Sequence, residues 1–277
     1  MPTEQSVSAH YSRGVLRERL VAALTEDGVD PRRPSLEALA PYDQFHGRGL
    51  EATVEIADAL AIRAGDHLLD VGSGIGGPAR YFADRFGCRV TGIDLTAEFC
   101  AVARELTRAT GLDAKVAFVD GDALAMPFEN GRFDGAYSMN VSMNIADKAA
   151  LYREIRRVIK PGGWLMLSEI AQGTGGDPDF PVPWAASAQT SFLTSSRATR
   201  SGLEAAGFDV VQLRSTREQA LASIARARAM VDRGEKPPHR AVALIHGQIA
   251  KMVIANTARA LADGRLEPIE VLATRRP

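Results

Sequence analysis

Residues 67–82 read HLLDVGSGIGGPARYF, and the fold turns on how this stretch is parsed. HLLDV has the apolar, strand-length character of a buried β segment, and GPARYF opens a helical pattern. Between them, Gly72, Gly74 and Gly77 satisfy the spacing G-x-G-x-x-G, while Gly72, Gly74 and Gly76 satisfy G-x-G-x-G. Glycine suits a turn where backbone approaches a ligand, and a helix N-terminus offers free N–H groups. A nucleotide-like ligand follows from either spacing. Whether it carries a pyrophosphate or an amino acid does not.

Outward from this loop, residues 66–170 alternate β-rich runs with helical ones. DHLLDV precedes the helix GPARYFADRFG, and RVTGIDL precedes TAEFCAVARELTRATG. AKVAFVDGD and FDGAYSM follow, then the helix DKAALYREIRRVIK and the strand GGWLMLSEI. This is the pattern of βαβ units around a parallel sheet buried on both faces. Leu151, Ile155, Val158 and Ile159 form one apolar stripe, Asp147 can cap that helix, and KPGG stops it. Residues 14–27 and 50–60 read as further helices. Residues 171–189 are too rich in glycine and proline for a continuous element and read as a loop or inserted lid. A helix over 195–207 and a strand over 208–216 restore the alternation. Helical patterns over 217–232 and 239–263 then suggest a lid, the second with Leu244, Ile245, Met252 and Val253 on one face, and EPIEVLATRRP closes the chain as an edge strand.

Composition narrows the partners. With 33 basic and 34 acidic residues among 277, nothing draws the whole chain to nucleic acid or an anionic membrane. Cys88 and Cys100 form no spaced ligand or disulfide set. The stretch MPTEQSVSAHYSRG lacks an apolar targeting core, and no apolar run reaches membrane-spanning length. The expectation is a cytoplasmic protein with a small-molecule partner and no metal; no motif speaks to its oligomeric state.

The acids flanking the loop discriminate between the two ligand types. Asp70 sits two positions before Gly72, where a carboxylate repels a pyrophosphate and attracts an ammonium. Asp94, at the end of the second strand, is placed to accept ribose hydroxyls. Asp122 follows the third strand, where a carboxylate can accept an adenine amine while Ala123 lines the ring. Three acids at successive strand ends, with no arginine there to meet phosphate, describe adenosine joined to an amino acid.

LLDVGSGIGG, GIDLT, GDALAMPFENGRFDGAYS and LYREIRRVIKPGGWLMLSEI together resemble the class I S-adenosylmethionine-dependent methyltransferases. The resemblance implies an α/β, Rossmann-like doubly wound sheet of seven strands, six parallel and one antiparallel. It implies an N-terminal helical cap over 1–62, a cofactor-binding core over 63–170, and the rest of the sheet with lid insertions over 171–277. It also implies a cofactor site of Asp70, Gly72, Ser73, Gly74, Gly76, Asp94, Leu95, Asp122 and Ala123, completed by Asn140, Gln44 and Phe45.

PYDQFHGRGLEAT, residues 41–53, resembles the segment covering the cofactor in phosphoethanolamine, sarcosine and dimethylglycine N-methyltransferases and in sugar and tocopherol O-methyltransferases. FPVPWA and SFL, at 180–185 and 191–193, are similar to the corresponding stretches of several of these enzymes. The acceptor is then expected beside Tyr42, His46 and Trp184, with His246 nearby and Arg48 or Arg197 able to hold a carboxylate. Where phosphobase methyltransferases carry an aspartate and a histidine after the fourth strand, SMNVSMNI presents Asn140 and Asn144. An amide orients a nucleophile but takes no proton near neutral pH, so Asn140, Asn144 and His46 are the candidate catalytic groups. Methyl transfer to the nitrogen of an amine or amino acid is expected first. The alternatives are O-methylation of a sugar or natural-product hydroxyl with His46 or His246 as base, and a cofactor-binding protein without turnover.

Overall fold

The computed structural model describes residues 15–277, so the quoted N-terminal stretch and residue 14 of the first expected helix lie outside the described residues. Seven strands form one sheet in the order β3-β2-β1-β4-β5-β7-β6. They are β1 (His67–Val71), β2 (Arg89–Asp94), β3 (Val116–Asp120), β4 (Phe133–Met139), β5 (Ile159–Gln172), β6 (Phe208–Ser215) and β7 (Leu266–Arg275). Neighbours from β3 through β5 pair in parallel, and β7 runs antiparallel to both β5 and β6. Six strands therefore share a direction and one opposes them, as the motifs implied.

The two faces of the sheet are filled by alternating side chains of the same strands. Leu69, Val71, Phe133, Leu165 and Leu167 join the stripe of α6 (Lys148–Val158) and Leu203 of α7 (Ser196–Ala205) in one core. Leu68, Val90, Tyr137 and Met166 join α3 (Leu50–Ala59) and α4 (Gly77–Phe86) in the other. Period-two burial on both faces explains why these strands are nearly continuous apolar runs. Asp147 caps α6 by accepting from the Ala150 N–H at 2.8 Å, as its position predicts.

Two smaller cores lie outside the sheet. Leu16, Leu20 and Leu24 of α1 (Leu16–Glu26) meet Leu39 and Tyr42 of α2 (Leu36–Asp43) and Phe99 and Leu106 of α5 (Ala97–Ala109). Trp184, Val182 and Met143 meet Ala220 of α8 (Arg217–Asp232) and Leu261 of α10 (Ala250–Ala262). These clusters hold an N-terminal cap and a helical lid over the carboxyl ends of the parallel strands.

Two expectations need correction, and one helix lies where none was expected. The C-terminal strand is not at the edge: β7 inserts between β5 and β6, and β6 takes the edge beside it. It pairs antiparallel with β5 along one side and with β6 along the other. The helix expected over 239–263 breaks at Gly247, whose φ of 55° ends α9 (Ala241–His246) before α10 begins. The break separates the expected single face, burying Leu244 and Val253 and leaving Met252 exposed. Helix α2 was not expected. Ser35 caps it, accepting from the Ala38 N–H at 3.1 Å, and Pro41 inside it masks the helical pattern.

A candidate active site at the switch point of the sheet

β1 and β4 are neighbours, and the chain proceeds from them toward opposite edges. Such a switch point opens a crevice at the carboxyl ends of the strands. A cavity of about 1440 Å³ occupies it, walled by strand ends, cap and lid. Single-ligand pockets usually measure about 300–1,000 Å³, so the space suits a cofactor and an acceptor together.

The glycine loop forms the floor. Gly72 has φ 73°, and a Cβ there would lie 2.3 Å from Val141 Cγ2. The Gly72 and Ser73 N–H groups donate to the Ile93 carbonyl at 2.8 and 3.0 Å, tying the loop to β2. Gly76 caps α4 in the left-handed region, and a Cβ there would meet Phe118. Phe45 of the cap stands over Gly74 and packs edge-on against Phe99, 5.3 Å between centroids.

Each expected acid has a distinct environment. Asp94 lines the cavity and accepts from the Gly74 N–H at 2.8 Å and the Thr96 N–H at 2.9 Å. Burial raises its carboxyl pKa, against the pull of those donors. Asp122 lines the cavity beside Leu95 and Ala123 and accepts from the Leu124 N–H at 2.9 Å. Asp70, Ser73 and Gly76 lie behind the loop, outside the cavity wall. Asp70 is buried, its Oδ2 has no hydrogen bond, and burial pushes its carboxyl up to about 8. The Tyr137 hydroxyl beside it lowers that value without forming a hydrogen bond of ordinary geometry.

These residues suit an amino-acid nucleoside. Two buried polar atoms at the loop, Asp70 Oδ2 and Ser73 Oγ, are unpartnered, which suits an ammonium or a water bound to one. The basic side chains on the wall, such as Arg48, Arg226 and Lys251, belong to cap and lid, and none comes from the strand-end loops among the described residues. A pyrophosphate would find Asp94 and Asp122 and no cation there.

The outer residues divide. Phe45, His46, Arg48, Asn140, Asn144, Trp184 and His246 line the cavity, whereas Tyr42, Gln44 and Arg197 do not. The Tyr42 hydroxyl donates to Asp27 Oδ2 at 2.6 Å and its ring lies under Arg240, which makes it a support of the cap. Gln44 is buried behind the wall, where its Oε1 accepts from Thr53 Oγ1 at 2.7 Å. Arg197 is exposed on α7. The Arg48 guanidinium is engaged by Glu55 and Glu270 at 2.8 and 3.2 Å, so it has no free fork for a substrate carboxylate.

The expected bases are altered too. Both His46 nitrogens have partners, Nδ1 with the Gly47 carbonyl at 3.2 Å and Nε2 with Thr53 Oγ1 at 3.0 Å and Gln44 Oε1 at 3.2 Å. Burial pushes the imidazole down to about 3, so it holds a single N–H and takes up no second proton at neutral pH. Asn140 adopts φ 58°. With its amide oriented by its neighbours, Nδ2 donates to the Ser168 carbonyl at 3.2 Å and Oδ1 accepts from the Gly47 N–H at 3.1 Å. This residue fastens the cap to the sheet. The Asn144 amide donates to the Val141 carbonyl at 3.4 Å, and Trp184 Nε1 donates to Ser191 Oγ at 2.9 Å.

Sequence reasoning missed Glu169, which lines the cavity from the end of β5. Its Oε2 accepts from the Val141 and Ser142 N–H groups at 3.1 and 3.0 Å, and its Oε1 accepts from Ser138 Oγ at 3.2 Å. The signal was a charged residue inside the apolar run WLMLSEI. His239, which donates from Nε2 to the Gln44 carbonyl at 2.9 Å, was also missed.

Comparison with known proteins agrees with this architecture. Residues 69–167 match the family described as a methyltransferase domain. Methyltransferase GfsG of Streptomyces halstedii is 31% identical over 227 residues, covering 78% of this chain and 77% of that protein. Phosphoethanolamine N-methyltransferase 3 of Arabidopsis thaliana is 36% identical over 135 residues, 48% of this chain, and the match spans only 27% of that protein's length. Geranyl diphosphate C-methyltransferase from Streptomyces coelicolor A3(2) superposes with a TM-score of 0.71 at 20% identity, over 99% of this chain and 98% of that one, a likeness of fold. This chain belongs to the S-adenosylmethionine-dependent methyltransferase family.

Proposed function

We propose that this chain methylates a small molecule whose body is bulky and apolar, at a site where cofactor and acceptor share one cavity. The observation that carries this reading is the wall beyond the strand ends. Met143, Ile170, Trp184, Phe192, Ile224 and Leu261 line it; of the basic groups that also reach it, Arg48, Arg226 and Arg240 are paired with Glu55, Glu51 and Asp27, and Arg228 and Lys251 come from the lid. A wall of this kind rewards burial of apolar surface at roughly 25 cal/mol per Å², and a zwitterionic amino acid would gain little from it.

Asp94 and Asp122 would hold the ribose and adenine of S-adenosylmethionine, and Asp70 with Ser73, behind the loop, would reach its amino-acid end through a bridging water. When bound, the cofactor supplies a methyl carbon already activated by the positive sulfur. The chain supplies alignment, worth up to about 7–11 kcal/mol in favourable cases, and exclusion of water. Phe45 and the Asn140–Gly47 link close the cap, and α8 with α10 closes the acceptor side.

A nitrogen acceptor is the second reading. It is supported by Asp147 and Glu169 on the wall, carboxylates suited to an ammonium, and by the nitrogen acceptor in the name of the plant relative.

The test is transfer of labelled methyl from S-adenosylmethionine to a panel of apolar alcohols, apolar amines and small amino acids. Turnover confined to the apolar members supports the reading. Turnover of glycine derivatives alone overturns it.

A further inference from the structure

Among the groups on the cavity wall, Glu169 stands apart by position. It sits at the carboxyl end of β5, one residue past the Ser168 that pairs with Met139 in β4, so it borders the crevice beside Asn140. It is 3% exposed and stands among the residues lining the cavity. A carboxylate offers about four lone-pair positions. The Val141 and Ser142 N–H groups donate to Oε2 and the Ser138 hydroxyl to Oε1; the Ser142 hydroxyl is a further donor acting on the carboxylate, and as a rotor it can turn away when an acceptor hydroxyl takes its place.

We propose that Glu169 is the polar recognition group for the acceptor and the catalytic residue that takes its proton, and that the acceptor atom is a hydroxyl oxygen. This rests on the reading of the cavity as an apolar acceptor site. As the oxygen gains its bond to the methyl carbon, the carbon–sulfur pair stays on sulfur and the hydroxyl proton passes to Glu169 Oε1. The sulfonium charge and the carboxylate charge are lost together, so no other reactant is needed. His46, with both nitrogens occupied, cannot serve in this role.

The surroundings of Glu169 suit a proton acceptor at neutral pH. Burial pushes its carboxyl up to about 7, opposed by the Ser142 hydroxyl, the Ser142 N–H, Lys148 and the Val141 N–H. Lys148 and Tyr152, both from α6, are the titratable groups acting on it. The register of β7 sets the apolar Ile269 opposite it. The Lys148 ammonium donates to the carbonyls of Ser142 and Phe192, each at 2.6 Å, and so stays close without pairing directly with the carboxylate. A base whose conjugate acid titrates near the working pH combines availability with driving force.

The experiment compares two probes on the full chain saturated with S-adenosylhomocysteine: 2-naphthol, which has a proton to give, and 2-methoxynaphthalene, which has none. Glu169→Gln is expected to weaken 2-naphthol about tenfold at pH 8 and leave 2-methoxynaphthalene within about twofold, since a charged acceptor is roughly twice as strong as a neutral one. Wild-type affinity for 2-naphthol should fall between pH 8 and pH 6, and the variant's should not. In the ligand-free chain, infrared difference spectra against Glu169→Gln should show a carboxyl titrating in the same range. Ser138→Ala keeps the carboxylate, removes one donor to its charged form, and should move that midpoint upward, which keeps the test decisive if Glu169→Gln folds poorly. Equal losses for both probes, or a carboxyl fully ionised at pH 5, overturn the assignment. If wild type binds neither naphthalene, the apolar acceptor site itself is overturned.

Discussion

Arg48 donates from Nη2 to Glu270 Oε1 at 3.2 Å, joining the cap segment that covers the cavity to β7 in the middle of the far half of the sheet. Both side chains are 5% exposed, and Arg48 holds φ 65° to make the reach. Removing one partner of a buried pair typically costs about 3–5 kcal/mol because the other charge stays buried. Arg214, 2.5 Å from Glu270 Oε2 but 40% exposed, compensates in part. Arg48→Ala is therefore expected to lose about 2–3 kcal/mol in urea unfolding and to weaken cofactor binding as the cap loosens. A variant with unchanged stability and affinity would show that this pair anchors nothing.

Gly72 and Gly74 both have positive φ, 73° and 53°, and differ in the space around them. A Cβ at Gly72 would meet Val141 Cγ2 at 2.3 Å, whereas at Gly74 the nearest atom is Phe45 Cδ2 at 3.3 Å. Left-handed strain costs about 1–2 kcal/mol at either site, and overpacking adds about 1–3 kcal/mol at Gly72. Gly72→Ala should be the more destabilised variant in thermal unfolding and should bind S-adenosylmethionine at least tenfold more weakly. The reverse order of stability would contradict the described packing of the loop.

How much of this was legible in advance differs between near and far contacts. The strand ends carrying Asp70, Asp94 and Asp122 announce themselves locally, because each follows an apolar run and precedes a turn or helix signal. The place of β7 between β5 and β6 depends on pairing across most of the chain, which no local pattern encodes. Glu169 could have been found, since a lone carboxylate in WLMLSEI must be buried and so must have a task. Arg48, Gln44 and His46 could not: their types fit a ligand site, and only their neighbours Glu270, Thr53 and Gly47 reveal that they are already engaged.

Asp70 makes stability depend on pH with a definite sign. Its folded-state carboxyl is pushed up to about 8 from the ordinary value of about 3.9, so the folded chain binds more protons than the unfolded one in that window. Stability is full below about pH 4 as far as this group is concerned, and falls as pH rises toward 8. Asp70→Asn removes the buried charge. Its melting temperature should exceed that of wild type by about 4–8 °C at pH 8.5, the shift for roughly 2 kcal/mol in a chain of this size, and the gap should close toward pH 4. Cofactor affinity should fall in the same variant. Scanning calorimetry across that range checks the sign, and a gap that widened on acidification would contradict it.

His46 should behave as a neutral spacer. With its imidazole pushed down to about 3, it stays unprotonated throughout the folded chain's working range, and it favours the fold less as pH drops below about 6.5, where the unfolded chain takes up the proton. Imidazole resonances followed by NMR should show no titration of His46 between pH 5 and 8, and His46→Gln should be less acid-labile than wild type. A midpoint near 6.5 would return this residue to the list of bases.

The most direct measurement is calorimetry of the purified chain titrated with S-adenosylmethionine and, separately, with a nicotinamide dinucleotide, repeated on Asp94→Ala. Asp94 lines the cavity and holds the loop through the Gly74 N–H at 2.8 Å. Loss of a hydrogen bond to a charged group costs about 1.5–3 kcal/mol, so wild type should bind the sulfonium compound, Asp94→Ala should bind it at least tenfold more weakly, and neither should bind the dinucleotide. Tight binding of the dinucleotide with no heat from S-adenosylmethionine would contradict the assignment of this crevice.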